Sequence, residues 1–291
     1  MTSNLTFQEI TEQFTSDANN CVEFQFIRNT SQLQQNTTEN QTLLPGQHNE
    51  NRIKSDLAHS QNSSNIGLFK KISPTTIFNP DMSHQIYGES ESIFGYKNLK
   101  ISFTFSAVSL TQYFSISYDE KLSVEEHGCV PQNIEEKLLE HKLFLENCIK
   151  GQENDPQQEK FSSIIENDDE NINLDKICSK MMEFQNSKNN RTFEIRKGNI
   201  KTHENLRSYH QRLQFFLLWF VDGASYIEDD DDKWDYYFLF ERYFCEEKQC
   251  ERRQIAGYAT VYNWCGELFL LIKKIIQLEL YLLKFCLLNC F

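Results

Sequence analysis

A mixed fold of α+β class is predicted by three observations. Short stretches alternate apolar and polar residues with the period of a strand, at Val22, Phe24 and Phe26, at Ile101, Phe103 and Phe105, and at Phe193 and Ile195. A dense apolar segment follows: Leu213, Phe216, Leu217, Phe220 and Val221 cover one helical face, and Phe215, Leu218 and Trp219 spread onto the others, as in a helix buried inside a domain. Past the acidic run Glu228 to Asp232, WDYYFLFERY has the aromatic composition of a central strand, and GYATVYNW reads as the next one.

At 291 residues the chain is long enough for one large or two ordinary domains, each with its own core. Its 42 acidic against 29 basic residues, net −13, argue against a general nucleic-acid binder and permit a cationic partner. Nine cysteines, together with an N-terminus, MTSNLTFQEITEQF, that has neither a basic nor an apolar signal region, fit a reducing compartment in which most are plain buried thiols. Cys245, Cys250 and Cys265 have no histidine nearby and form no CxxC pair, so a structural role is expected there over zinc.

In chain order, residues 1–20 are polar and uncommitted. CVEFQFIR, from Cys21, predicts a short strand with one buried face. The Asn-, Gln-, Ser- and Thr-rich segment 29–65 holds too few apolar residues to offset the entropy of ordering it, and is expected to be a disordered insertion. Ile101, Phe103 and Phe105, then Tyr113 or Phe114 with Ile116 and Tyr118, predict two antiparallel strands with no obvious turn between them. EEKLLEHKLFL, from Glu135, spaces Leu138, Leu139, Leu143 and Leu145 as an amphipathic helix that Gly151 would stop. Segment 151–170 is a polar loop, LDKICSKMMEF a helix, RTFEIRKGNI a strand, and the central helix starts near Thr202. No internal repeat appears.

Two blocks carry a resemblance: HQIYGESESIFGYKNLKISFTFSAVSL, His84 to Leu110, and YHQRLQFFLLWFVDGASYIEDDDDKWDYYFLFERY, Tyr209 to Tyr243, followed by GYATVYN. In order, spacing and rare tokens such as FGYK, LWF and DDDDKWDYY, the chain resembles the catalytic subunit of type B histone acetyltransferases, within the GNAT acetyltransferase superfamily, from about Cys21 to Asn263. The resemblance implies an N-terminal mixed α/β domain over 21–222, the start of a GNAT acetyltransferase core over 223–263, and an apolar tail, 264–291, of uncertain origin.

The chemistry comes with the family. Acetyl-coenzyme A donates its acetyl group to a lysine amine on a free histone tail, which a carboxylate or water chain must first deprotonate while backbone amides polarise the thioester carbonyl. The family's acidic pair that meets the basic tail corresponds to Glu89 and Glu91. Its tryptophan beside the peptide corresponds to Trp234, an aromatic wall for a lysine stem or cation. Tyr262, Asn263 and Trp264 match the peptide-contacting segment, and Asp222 falls where the family has an active-site carboxylate. Buried beside Trp219 and Phe220, Asp222 would hold its proton more firmly than an ordinary aspartate and act in a relay. The family further implies a WD-repeat histone-binding subunit as partner, work in nucleus and cytoplasm, and no direct contact with nucleic acid or membrane.

After Asn263 the similarity stops. The family's cofactor loop, R/Q-x-x-G-x-G/A, forms an anion nest at a helix N-terminus, yet no G-x-G occurs among the ten glycines of this chain. The family's main base also lies past this point, so none is assigned. The remainder, WCGELFLLIKKIIQLELYLLKFCLLNCF, allows three readings. A membrane span over Leu268 to Leu288 would place Lys273, Lys274, Glu279 and Lys284 in lipid at about 2.5 to 3.5 kcal/mol each. A helix with Lys273, Gln277 and Lys284 on one side would cover an open sheet edge. A frameshift or retained intron would give a tail that is not the native continuation, the reading favoured by the abrupt change and decided by sequencing the transcript across Tyr262 to Gly266. Taken literally, the product is expected to be a weak or inactive histone acetyltransferase. The alternative is a noncatalytic histone-tail-binding module that keeps Glu89, Glu91 and Trp234 and lacks the cofactor site.

Overall fold

The structure, a computed structural model, describes residues 7–28, 77–145, 148–151, 161, 163–164, 172–186, 191–228, 230–245 and 249–263. The insertion expected at 29–65, most of the 151–170 loop and the 264–291 tail with Trp264 lie outside the described residues. The described chain builds two main sheets and a helical segment that serves both, consistent with the α+β class.

The chain opens with helix α1 (Phe7–Phe14), strand β1 (Thr15–Asp17) and one helical turn α2 (Ala18–Cys21), whose cap Asp17 accepts the Asn19 amide. The strand expected at CVEFQFIR is β2 (Val22–Ile27), with Val22, Phe24 and Ile27 buried. Next come β3 (Ile77–Phe78), the single turn α3 (His84–Tyr87), β4 (Ser92–Phe94), which pairs with β1, and β5 (Tyr96–Lys97). The two antiparallel strands expected after Ile101 are β6 (Lys100–Ser106) and β7 (Gln112–Ser117). Their turn carries no glycine or proline. Ser106 Oγ accepts the amides of Val108 and Ser109, and Leu110 takes a φ of 60° while its side chain is fully buried. That burial holds a strained backbone a leucine would otherwise avoid.

Strand β8 (Glu120–Lys121) pairs with β5, and α4 (Val124–His127) and α5 (Ile134–Glu140) follow. Helix α5 starts at its cap Asn133, whose side chain accepts the Glu136 amide, and stops at Glu140, well short of the expected Gly151. The reason is local: Lys142 adopts φ 55°, the Leu143 amide bonds back to Leu138 O and the Lys142 amide to Leu139 O. This is a Schellman closure made without glycine, sealed by the apolar contact of Leu138 with Leu143 in one core. Leu139, expected on the buried face, is 66% exposed. Gly151 instead ends β9 (Ile149–Gly151), which runs parallel to β7 and completes a five-stranded mixed sheet of order β3-β2-β6-β7-β9.

LDKICSKMMEF is not a helix. A 3₁₀ turn at Leu174–Lys176 leads into β10 (Ser179–Asn186), paired along its length with β11 (Arg191–Gly198). Met181, Met182 and Phe184 are exposed, so the apolar spacing there reports no buried face, and cross-strand hydrogen bonding decides the structure. The central helix starts at Leu206 and is broken into α6 (Leu206–Gln214) and α7 (Leu217–Phe220). The break lets one segment serve two cores. Leu206, Tyr209 and Leu213 of α6 pack on β12 (Trp234–Cys245) and β13 (Cys250–Tyr262), whereas Phe215, Phe216, Leu218 and Trp219 enter the aromatic core over β2 and β6. There the Phe103 and Phe215 rings lie 5.0 Å apart and those of Phe105 and Phe216 4.9 Å apart. Each buried phenylalanine contributes about 1.5 to 3 kcal/mol.

As expected, WDYYFLFERY is an interior strand and GYATVY its hairpin partner, in an antiparallel sheet of order β10-β11-β12-β13. The hydrogen bonds between β11 and β12 run across the boundary expected between residues 222 and 223, joining strands that precede the helical segment to strands that follow it.

Candidate functional site

The candidate residues fall into two groups, one at the end of α7 and one at the end of the β12–β13 hairpin. The first is built by the segment that enters and leaves α3. Trp219 O, near the end of α7, accepts the amides of Asp81 (3.1 Å) and Met82 (3.2 Å), and Gln85 Nε2 reaches Val221 O at 3.0 Å. These bonds satisfy carbonyls that a helix C-terminus leaves open and clamp α3 against α7.

Glu91 caps α3 from downstream. Its backbone sits at φ 47°, its Oε1 accepts the amides of Ser83 (2.6 Å) and His84 (3.0 Å), and its Oε2 accepts Asn19 Nδ2 (2.7 Å). The Ser83 amide, joined by Asn19 and the His84 amide against a weaker opposing effect of burial, holds this carboxyl below the usual glutamate range. Both oxygens of Glu91 are thus occupied within the protein. Glu89, two residues earlier, stands exposed on the same loop.

Asp222 lies at the surface and not in the interior. Its side chain is 74% exposed, in contrast to the burial expected beside Trp219 and Phe220. Helix α7 ends at Phe220, Val221 is extended (φ −127°, ψ 109°) and Gly223 turns at φ 64°, so the chain leaves the helix before Asp222 and carries it outward. Its Oδ1 is 3.2 Å from His84 Nε2, and His84 Nδ1 is 3.7 Å from Glu91 Oε1. No spacing rule singles out His84, although it opens one of the two blocks that carry the resemblance.

The second group is held by strand register. Trp234 and Tyr262 are direct cross-strand partners whose rings meet edge to face at 4.9 Å, and both are half-buried. The Asn263 amide bonds to Lys233 O (2.9 Å), and its Nδ2 bonds to Asp235 Oδ2 (2.9 Å). Asp235 is buried, and Lys197 Nζ at 2.7 Å and Asn199 Nδ2 at 3.4 Å complete its shell. Burial pushes the Asp235 carboxyl up, but the Lys197, Asn263 and Asn199 bonds together hold it below the usual range. Asn199 also bonds the carbonyls of Asp232 and Trp234, and Lys201 pairs with Asp232, which ties the acidic run to the sheet. Asp235, Lys197 and Asn199 escape sequence reasoning, because their partners are assembled by pairing of β11 with β12 and not by proximity in the chain.

Exposed carboxylates suit a cation, and a half-buried aromatic pair suits an apolar stem; the two groups share no contact among the described residues. Among the described residues no helix begins behind a glycine-rich turn, so these residues offer no cradle for the cofactor pyrophosphate. Among them, too, no three His, Cys, Asp or Glu side chains converge to hold a metal ion, and no helix is long and apolar enough to cross a membrane.

The profile of the family described as "Histone acetyl transferase HAT1 N-terminus" matches residues 14–222. The chain is 32% identical over 191 residues to the "Histone acetyltransferase type B catalytic subunit" of Mus musculus, covering 64% of this chain and 42% of the relative. The protein of that description from Homo sapiens gives the same values. One from Cryptococcus neoformans is 30% identical over 201 residues, covering 65% of this chain and 48% of the relative. The chain thus spans less than half the length of these relatives.

Proposed function

We propose a function from the premise that this chain belongs to the histone acetyl transferase HAT1 N-terminus family: it is a histone acetyltransferase of type B that takes the lysine of a free, newly made histone as acceptor and acetyl-coenzyme A as donor. The observation that carries this reading is the Asp222 carboxylate, exposed at the surface beside the Glu89–Glu91 loop. In that setting Asp222 and Glu89 draw the basic tail by charge, and Asp222 lacks the burial on which a role as proton relay would depend. Trp234 and Tyr262 provide the aromatic wall for the lysine stem, with Asn263 fixed beside them by Asp235. Acetyl-coenzyme A would supply the activated acyl group, and the described residues hold no glycine-rich cradle for its pyrophosphate.

A WD-repeat histone-binding subunit as partner, and a place in nucleus and cytoplasm, belong to the same proposal. One observation favours a second reading, a noncatalytic tail-binding module: Asp222 is 74% exposed, without the burial on which a proton relay would depend. The experiment is acetyl transfer and peptide binding by the full chain, with the full-length mouse relative as reference. Lysine-dependent peptide binding with transfer far below the relative, and both reduced in Asp222→Asn, is the expected result. Binding without any transfer favours the module, and loss of both sinks the proposal.

A further inference from the structure

Two carboxylates with separate assignments, Asp222 and Glu91, meet at one imidazole that has none. His84 is the first residue of α3; its Nε2 lies 3.2 Å from Asp222 Oδ1 and its Nδ1 3.7 Å from Glu91 Oε1. The turn that carries the ring is fixed from two sides. Glu91 Oε1 accepts the backbone amides of Ser83 and of His84 itself, and Gln85, the next residue, hydrogen-bonds Val221 O at 3.0 Å. Asp222 has no such support of its own. It follows an extended residue, precedes a glycine at φ 64°, and is 74% exposed. A side chain in that position samples several rotamers unless something across the gap selects one.

We infer that His84 is a positioning residue: its imidazole holds the Asp222 carboxylate in one orientation at the surface, and Glu91 anchors the turn that presents the imidazole instead of meeting the substrate itself. The inference rests on the reading of Asp222 as a substrate-facing carboxylate. It divides the acidic groups by task. Asp222 and Glu89 face the incoming cation, while Glu91, with both oxygens accepting hydrogen bonds from Ser83, His84 and Asn19, keeps the loop in shape. A carboxylate held ready loses less side-chain freedom on binding than a mobile one, so its orientation is worth affinity as well as geometry.

The test is a double-mutant cycle on the full chain, read as the Kd of a fluorescently labelled lysine peptide, with the acetyl-lysine peptide as the blank. His84→Ala and Asp222→Ala should each weaken binding about tenfold, and the double variant no further than either alone, because the residues act as one unit. His84→Gln, which keeps an N–H donor near the imidazole Nε2, should recover most of the loss, a rescue that a merely space-filling histidine would not show. Thermal unfolding of each variant identifies those that remain folded; if His84→Ala does not, the cycle is run with His84→Gln and His84→Leu. Independent, multiplying effects of the two substitutions, or a His84→Gln as weak as His84→Ala or His84→Leu, overturn the inference. If Asp222→Ala binds as tightly as the parent, the reading of Asp222 falls; if it binds weakly while His84 acts independently, only the positioning role falls.

Discussion

Glu91, the carboxylate matched to the family's acidic pair, has both of its oxygens engaged by its own loop and by Asn19. The Ser83 amide, then the Asn19 side chain and the His84 amide, favour its charged form and hold it below the usual glutamate range. A depressed folded value means that its stabilising effect is complete above the unfolded glutamate value of about 4.3 and is lost as pH falls through the lower folded value. Glu91→Gln is therefore expected to flatten the acid limb of a melting-temperature profile below about pH 5. An acid limb as steep as the parent's would show that the amide bonds contribute nothing. The side chain is 30% exposed, so solvent screening keeps the effect small. Gly151 makes a steric argument at the same scale. A Cβ there would stand against Tyr113 Oη and 2.9 Å from the ring atoms Cε2 and Cζ, in a core that already buries Tyr113 beside Phe161. Gly151→Ala should cost about 1 to 3 kcal/mol in urea unfolding, as overpacked sites do, and a neutral result would mean the tyrosine swings out freely.

Elements were legible where one residue type sufficed to decide them. The strands at Val22 and Ile101 follow from alternation against a core and the strand from Trp234 from its aromatic composition, whereas β11 is a strand whose core-side residues are Glu194, Arg196 and Gly198 and not the alternating Phe193 and Ile195. Two failures share one cause, a local pattern overridden by contacts far away in sequence. LDKICSKMMEF has helical spacing but is an edge strand because β11 offers it a full ladder, and the central helix breaks because Phe215 and Phe216 are claimed by a different core from Leu213. The stop of α5 at Glu140 was hidden for another reason, since the residue that turns the chain, Lys142 at φ 55°, leaves no glycine to read. Site residues divide similarly. Trp234 and Tyr262, recognised separately by resemblance, prove to be cross-strand partners, whereas the exposure of Asp222 depends on where α7 ends, which its apolar sequence does not announce. Helix α5 gives a direct check on the capping account. Asn133→Ala removes the acceptor for the Glu136 amide and should lower stability by about 1 kcal/mol, measured by denaturant midpoint at unchanged slope.

At the scale of the whole molecule the two sheets are joined by the helical segment, by the β6–β7 turn and by a polar junction. At the turn, the Ile255 amide bonds to Ala107 O, Tyr209 Oη to Val108 O and Arg212 to Ser109 O. At the junction, Glu241 of β12, with 2% side-chain exposure, takes both prongs of Arg191 and lies 3.7 Å from Arg28, the residue after β2. Arg28 Nε in turn donates to Gln254 of β13, and its carbonyl accepts Tyr243 Oη. The two sheets therefore meet through charges as well as through aromatic side chains. Such a group of buried charges adds little net stability, because desolvation offsets attraction, yet removing one partner strands the others. Glu241→Ala is expected to cost about 3 to 5 kcal/mol, since Arg191 and Arg28 lose the carboxylate that compensates them. In a chain of this size that corresponds to a fall in melting temperature of roughly 6 to 20 °C. Glu241→Gln, which keeps the shape and one acceptor, should fall between the two. The junction account requires more than a lower midpoint: Glu241→Ala and Arg28→Ala should be strongly non-additive, because each breaks the same link between β2 and the β12–β13 hairpin. Additive losses in calorimetry would mean that Arg28 and Glu241 act within their own sheets and that the aromatic segment alone holds the two together.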